Sequence, residues 1–106
     1  MKPKNIKIRI SEGFSLKGKI AIVTGGAGLI GLHFVEVLVE AGARVAILSL
    51  DEKKAKQVAS QIIRKLKLPA SSIASYRADV TVREDVEAAV TAIIHCWKGN
   101  YIYLRV

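Results

Sequence analysis

Two spacings of apolar residues alternate along the chain from Lys19 onward. Short unbroken apolar runs predict buried strands, and longer stretches with apolar positions three and four apart predict helices. Ile20 to Val23 is the first run. Residues 28 to 41 are then apolar nearly all round, through Leu29, Ile30, Leu32, Phe34, Val35, Val37, Leu38 and Val39. This stretch predicts a helix packed on a sheet, with Glu36 and Glu40 on its wet side and Gly42 as a left-handed terminator. Ala43 to Leu50 predicts a second strand by its length and β-branched content. Asp51 and Glu52 suit the positive end of a new helix. Ala55, Val58, Ala59, Ile62, Ile63 and Leu66 form its inner face over about four turns, while Lys53, Lys54, Lys56, Arg64, Lys65 and Lys67 face outward. Pro69 and the pair Ser71-Ser72 close it.

Ile73 to Ala78 predicts a third strand. Thr81-Val82-Arg83-Glu84 has the form of a capping box, so a third helix opens near Thr81. Val82, Val86, Ala89, Val90, Ile93, Ile94 and Trp97 make its buried stripe before Gly99, and Tyr101 to Val106 predicts a fourth strand. No internal repeat or low-complexity tract interrupts the series. Strands alternating with helices of this length pair in parallel through right-handed crossovers. The fold class is therefore α/β: a partial Rossmann-type, doubly wound parallel sheet of about four strands and three helices, residues 19–106, behind a basic arm, residues 1–18.

Composition narrows the partners. A chain of 106 residues is one domain. No apolar run approaches the roughly 20 residues that cross a bilayer, which sets membrane partners aside. The 17 basic residues outnumber 9 acidic ones, and Lys2, Lys4, Lys7, Arg9, Lys17 and Lys19 crowd the start. Such a segment attracts polyanions. It has no aromatic interleaving and no nucleic-acid motif, so a solvated arm is preferred to nucleic-acid binding. Ile6, Ile8 and Ile10 alternate with Lys7, Arg9 and Ser11, which leaves no secretory apolar core. The lone Cys96, beside Ile93, Ile94 and Trp97, reads as a reduced, buried thiol, and the setting expected is cytoplasmic.

The sharpest local signal is "KIAIVTGGAGLIG", residues 19–31. Four glycines within seven residues each cost backbone entropy and contribute no packing. They fall in the first strand-to-helix turn, where a helix N-terminus offers free amide donors and partial positive charge. Gly25 permits the tight turn, Gly28 permits backbone to approach a diphosphate, and Gly31 permits the helix to lie close on the strand. The alternative is a tight turn with no ligand.

Together with "FSLKGKIAIVTGGAGLIG", the segments "EAGARVAIL" and "ADVTVREDVEAAV" resemble the N-terminal half of the short-chain dehydrogenase/reductase family, from about Phe14 to Val106. The spacing Thr-Gly-x-x-Gly-x-x-Gly is similar to the extended branch, whereas the flanking segments are similar to the single-domain branch. The resemblance implies an NAD(P)-dependent oxidoreductase. It implies that Thr24 holds the turn, that Gly25, Gly28 and Gly31 line the cofactor phosphates beside Leu29 and Ile30, and that Asp79 and Val80 sit at the adenine. Ser49 stands where NAD-preferring relatives carry an acid that binds the ribose 2′-hydroxyl. A small neutral residue there tolerates a 2′-phosphate, with Arg44, Lys53 or Lys54 as helpers, while Asp51 is either a ribose acceptor or a helix cap. The cofactor expected is NADP or NAD, with a lean to NADP.

The family's Tyr-x-x-x-Lys pair does not occur in these 106 residues. Tyr101-x-x-x-Arg105 has the spacing, but it falls on a predicted strand and an arginine cannot relay a proton. The Asn-Asn-Ala-Gly segment and the active-site serine are also missing, and "WKGNYIYLRV" departs from the family pattern as a truncated frame does. His33 and His95 read as packed or surface residues with no catalytic or metal role. The expectation is a cofactor-binding portion inactive alone, or else a non-enzymatic nucleotide-binding module completed by a second copy or another chain. An exposed fourth strand predicts self-association.

Overall fold

The computed structural model describes residues 15–25 and 28–105, with the side chains of Leu29 and Ile30 left out of the description. The arm from Met1 to Phe14 and Val106 lie outside the described residues. Four strands, β1 (Ile20–Thr24), β2 (Arg44–Ser49), β3 (Ile73–Arg77) and β4 (Tyr101–Arg105), alternate with helices α1 (Leu29–Glu40), α2 (Glu52–Leu66) and α3 (Arg83–Trp97). The sheet order is β3-β2-β1-β4 and every pairing is parallel. This is the doubly wound arrangement expected.

Alternation along each strand sorts the core into two layers. Ala21, Val23, Val45 and Ile47 face one way and pack with Val35, Leu38 and Val39 of α1 and Ala55, Val58, Ala59 and Ile62 of α2. Ile20, Ile22, Ala46 and Leu48 face the other way and meet Ala89 and Ile93 of α3. The central strands are apolar on both faces because both faces are covered, as parallel sheets require. β4 is an edge, and Tyr101, Ile102 and Tyr103 are exposed large side chains upon it.

Helices α1 and α2 end in the same way. After α1, Gly42 has φ +104°, its N–H donates to the Val39 carbonyl, and the Ala43 N–H donates to that of Leu38. After α2, Lys67 takes the left-handed role at φ 55°, with Lys67 N–H to Arg64 O and Leu68 N–H to Ile63 O. Both are Schellman closures. One uses glycine and the other places a side chain in a region that costs roughly 1–2 kcal/mol for most residues.

Four expectations are corrected. The capping box does not form: α3 opens at Arg83, so the exposed Val82, whose side chain makes no capping hydrogen bond, holds the N-cap position, and the Thr81 hydroxyl donates to Asp79 instead. Cys96 is exposed, since α3 buries only the narrow stripe through Ala89 and Ile93. Glu36 is not on a wet side; it is largely covered and accepts from Lys65 Nζ of α2 at 2.9 Å. Leu50 lies beyond β2 and is 57% exposed.

Candidate functional site

All four strands run the same way, so Thr24, Ser49, Arg77 and Arg105 end on one rim of the sheet. Register sets the neighbours: Thr24 lies between Leu48 and Arg105, and Ser49 lies beside Arg77. The loops leaving this rim carry the glycine turn, the start of α2, and Asp79 and Val80. The topology thus gathers Thr24, Gly25, Gly28, Ser49, Asp51, Asp79 and Val80 at the carboxyl ends of β1, β2 and β3, with Leu29, Ile30 and Gly31 opening α1.

Thr24 is buried, and its hydroxyl donates to the Leu104 carbonyl at 3.4 Å, which ties β1 to β4 just before the turn. Gly25 has φ +77°, so its glycine is required by backbone conformation. Its N–H donates to Leu48 O, and its own carbonyl accepts the N–H of Gly28 at 3.1 Å. Gly28 is the N-cap of α1 and differs from Gly25. Its φ of −82° is open to any residue. Among the described residues, a Cβ built on it meets only the Gly25 carbonyl oxygen, at an ordinary 3.6 Å. Neither backbone strain nor packing within the described fold explains a glycine at this position. Among the described residues, none fills the space beside the first turn of α1 that a side chain at this position would take.

No side chain caps α1, and its first turn carries no acid. Among the described residues no carboxylate neutralises the amide donors there, and the helix dipole favours an anion. The second helix is the opposite case. Asp51 Oδ1 accepts the Lys54 N–H at 3.0 Å, and Ser49 Oγ accepts the Asp51 N–H at 3.1 Å. The carboxylate of Asp51 is a helix cap, and the Ser49 hydroxyl braces the backbone that carries it.

At the end of β3, Asp79 Oδ1 accepts from the Thr81 hydroxyl at 2.6 Å and from the Thr81 N–H at 3.0 Å. The hydroxyl bond, then the amide bond, hold the Asp79 carboxyl below its ordinary range. The Asp79 N–H in turn donates to Asp85 Oδ2 at 3.0 Å. Val80 is half-buried against the α3 layer.

Strand position separates one expected helper from Ser49 and brings another arginine beside it. Arg44 begins β2 and lies over Trp97, its guanidinium carbon 5.9 Å from the ring centroid, at the opposite edge of the sheet from Ser49. It is removed from the ribose end. Arg77 was missed: it is the exposed last residue of β3, beside Ser49 in register. A charged residue closing an otherwise uncharged strand was the signal available in the sequence. Tyr101 and Arg105 sit at opposite ends of β4, so their spacing brings no pair together. His33 is exposed, with Nδ1 4.0 Å from Glu36 Oε1, and His95 is exposed on α3. Among the described residues no group of three His, Cys, Asp or Glu side chains could hold a metal ion. None of the described helices is long and apolar enough to cross a membrane.

Comparison with known proteins agrees with this geometry. The family model described as short chain dehydrogenase matches residues 19–100. Short-chain dehydrogenase reductase 3a of Arabidopsis thaliana is 38% identical over 79 residues, which are 74% of this chain and 28% of that protein. The 3-ketoacyl-(acyl-carrier-protein) reductase of Brucella melitensis, solved with NADH, superposes with a TM-score of 0.71 at 29% identity, covering 84% of this chain and 34% of that one. The RhlG/NADP complex of Pseudomonas aeruginosa gives 0.73 at 28% identity, over 88% and 36%. The chain therefore spans about a third or less of the length of these relatives. With the glycine turn at the carboxyl rim and a match over residues 19–100, the chain belongs to the short-chain dehydrogenase/reductase family of oxidoreductases and carries its NAD(P)-binding Rossmann fold.

Proposed function

We propose that this chain binds NAD(P) at the glycine turn, with NADP preferred, as the cofactor-binding portion of a short-chain oxidoreductase in a reducing, cytoplasmic setting. The observation that carries the reading is Gly28, a glycine that neither its φ nor the described packing requires. A diphosphate at the uncapped start of α1 uses the space that the missing side chain leaves. In this reading Gly25 and Gly31 shape the cradle, and the backbone of Leu29 and Ile30 supplies donors to the phosphates. Asp79 and Val80 flank the adenine.

Preference for NADP rests on charge. The acid that selects NAD is replaced by Ser49, and Asp51 is spent on capping α2. Arg77 stands beside Ser49 in register, so a cation for a ribose 2′-substituent comes from β3 rather than from Arg44. Lys53 and Lys54 open α2 nearby.

The bound nicotinamide supplies hydride transfer; these 106 residues supply binding and orientation. The Tyr-x-x-x-Lys pair that passes a proton in the family does not occur in these 106 residues, and Arg105 ends β4 at the rim. The chain alone is therefore proposed to bind cofactor without turning over a carbonyl substrate. A second reading, a module completed by another copy or chain, is favoured by the exposed edge at Tyr101, Ile102 and Tyr103 and by a groove of about 550 Å³ between it and α3.

Calorimetric titration of NADPH, NADH and AMP tests both. Saturable heat with NADPH, absent in Gly28→Trp, supports the site. Measurable carbonyl reduction by the purified chain contradicts the division of labour.

A further inference from the structure

At the amino edge of the sheet, opposite the glycine turn, Lys17, Lys19, Arg44 and Lys98 line one cavity of about 410 Å³ together with Trp97. We propose that this cavity is a second anion site, which takes a small phosphate-bearing ligand distinct from the cofactor.

Three segments build it. The chain entering β1 is fixed by Lys19 N–H to Leu16 O and by Leu16 N–H to Ala41 O at 2.7 Å. The turn after α1 packs so closely that a Cβ on Gly42 would meet the Lys17 N at 3.1 Å. The end of α3 joins through Ile20 N–H to Asn100 O. The walls are thus held by backbone, and the cations project from a fixed frame.

Electrostatics give the frame its chemistry. Among the described residues, the ion pairs join His33, Lys56 and Lys65 to glutamates, and none involves the four cations of the cavity. In a space this small the four charges act on one ligand from within about a Debye length, where salt screens them least. Carbonyls at the end of a helix repel anions. Here those of Val37, Leu38 and Val39 accept from Ala41, Ala43 and Gly42, and that of Ile94 accepts from Lys98. Those four carbonyls are engaged, and among the described residues no carboxylate pairs with the cations. Arg44, 5.9 Å from the Trp97 centroid, is positioned by a cation–π contact.

The size favours a small ligand, since pockets for such molecules run from roughly 300 to 1,000 Å³. A nucleic-acid track needs an open groove with stacking residues along it. The cavity offers one aromatic ring.

Trp97 is the single tryptophan of the chain, so its fluorescence reports this site directly. Sodium pyrophosphate titrated at fixed ionic strength is expected to give a saturable change. The Lys17→Gln/Lys98→Gln double variant is expected to weaken it at least about tenfold, the loss of one charge-assisted hydrogen bond. Gly28→Ser is expected to leave it unaltered, which separates this site from the cofactor's. If the double variant does not fold, amide shifts of Gly18, Gly42 and Gly99 in the wild-type chain decide. Movement there on adding pyrophosphate supports the site. A linear, unsaturated response, an unchanged double variant, shifts confined to Gly25 and Gly28, or binding only by a long oligonucleotide overturns it.

Discussion

Replacing Gly28 by serine separates folding from binding, because the two respond in opposite directions. Serine is among the best N-cap residues and glycine is slightly poorer, by a few tenths of a kcal/mol. Removing a glycine from an unstrained position also lowers the entropy of the unfolded chain, worth about 0.4–1 kcal/mol. Gly28 is such a position, with φ −82° and no described neighbour closer than 3.6 Å to a new Cβ. The free protein is expected to gain about 0.5–1 kcal/mol. A domain of this size shifts by about 4–8 °C per kcal/mol, so the melting temperature rises by a few degrees.

Cofactor affinity moves the other way. A side chain at Gly28 occupies the approach of the diphosphate and removes at least one amide-to-phosphate hydrogen bond, worth about 1.5–3 kcal/mol. Affinity is expected to fall about ten- to a hundredfold. Differential scanning fluorimetry reads both effects. At 100 times the wild-type Kd, NADPH stabilises the wild-type chain by about 2.7 kcal/mol, and at that concentration the variant keeps only about 0.4–1.4 kcal/mol. A variant that keeps wild-type NADPH affinity refutes the assignment of Gly28. One that loses stability shows that the glycine serves the fold.

Other substitutions test the remaining parts. Lys67→Gly relieves the left-handed φ of 55° after α2 and is expected to stabilise the chain by about 0.5–1 kcal/mol in urea denaturation. Asp51→Ala removes the α2 cap and is expected to cost about 1 kcal/mol while NADPH selectivity stays within twofold; Ser49→Asp is expected to lower NADPH affinity at least about tenfold relative to NADH, both read by calorimetry. Asp79 has its folded pKa depressed by Thr81, so its contribution is present above the ordinary value of 3.8 and is lost as pH falls through the depressed one. Carbon-detected NMR titration of Asp79 is expected to show a higher pKa in Thr81→Ala than in the wild type, and an unchanged value contradicts the assigned cause.

The central sheet was legible in the sequence because β1 and β2 are buried on both faces and leave continuous apolar runs. α2 was legible from its sharply divided faces, and its bounds fell within a residue or two. Errors arose where a side chain had a second suitor. Thr81 suits a capping box, but α3 opens one residue later with Val82 at the N-cap position, and the Thr81 hydroxyl turns back to donate to Asp79. Glu36 looked solvent-facing because helical periodicity of α1 carries no information about Lys65 on the neighbouring helix. Cys96 looked buried among apolar neighbours, yet α3 meets the sheet through too narrow a stripe to include it.

The candidate site was legible in its glycines and not in its cations. Arg44 and Arg77 differ little as residues, but parallel strands send the first residue of β2 and the last of β3 to opposite edges. Register, which places Arg77 beside Ser49, follows only from the assembled sheet.

The most direct test of the account is the amide spectrum of the isotopically labelled chain during titration with NADPH. Saturable shifts at Gly25, Gly28 and Gly31, with Asp79 and Val80 moving at the same concentration, are the predicted result. Saturation with none of those amides perturbed, or no saturation at millimolar cofactor, contradicts it.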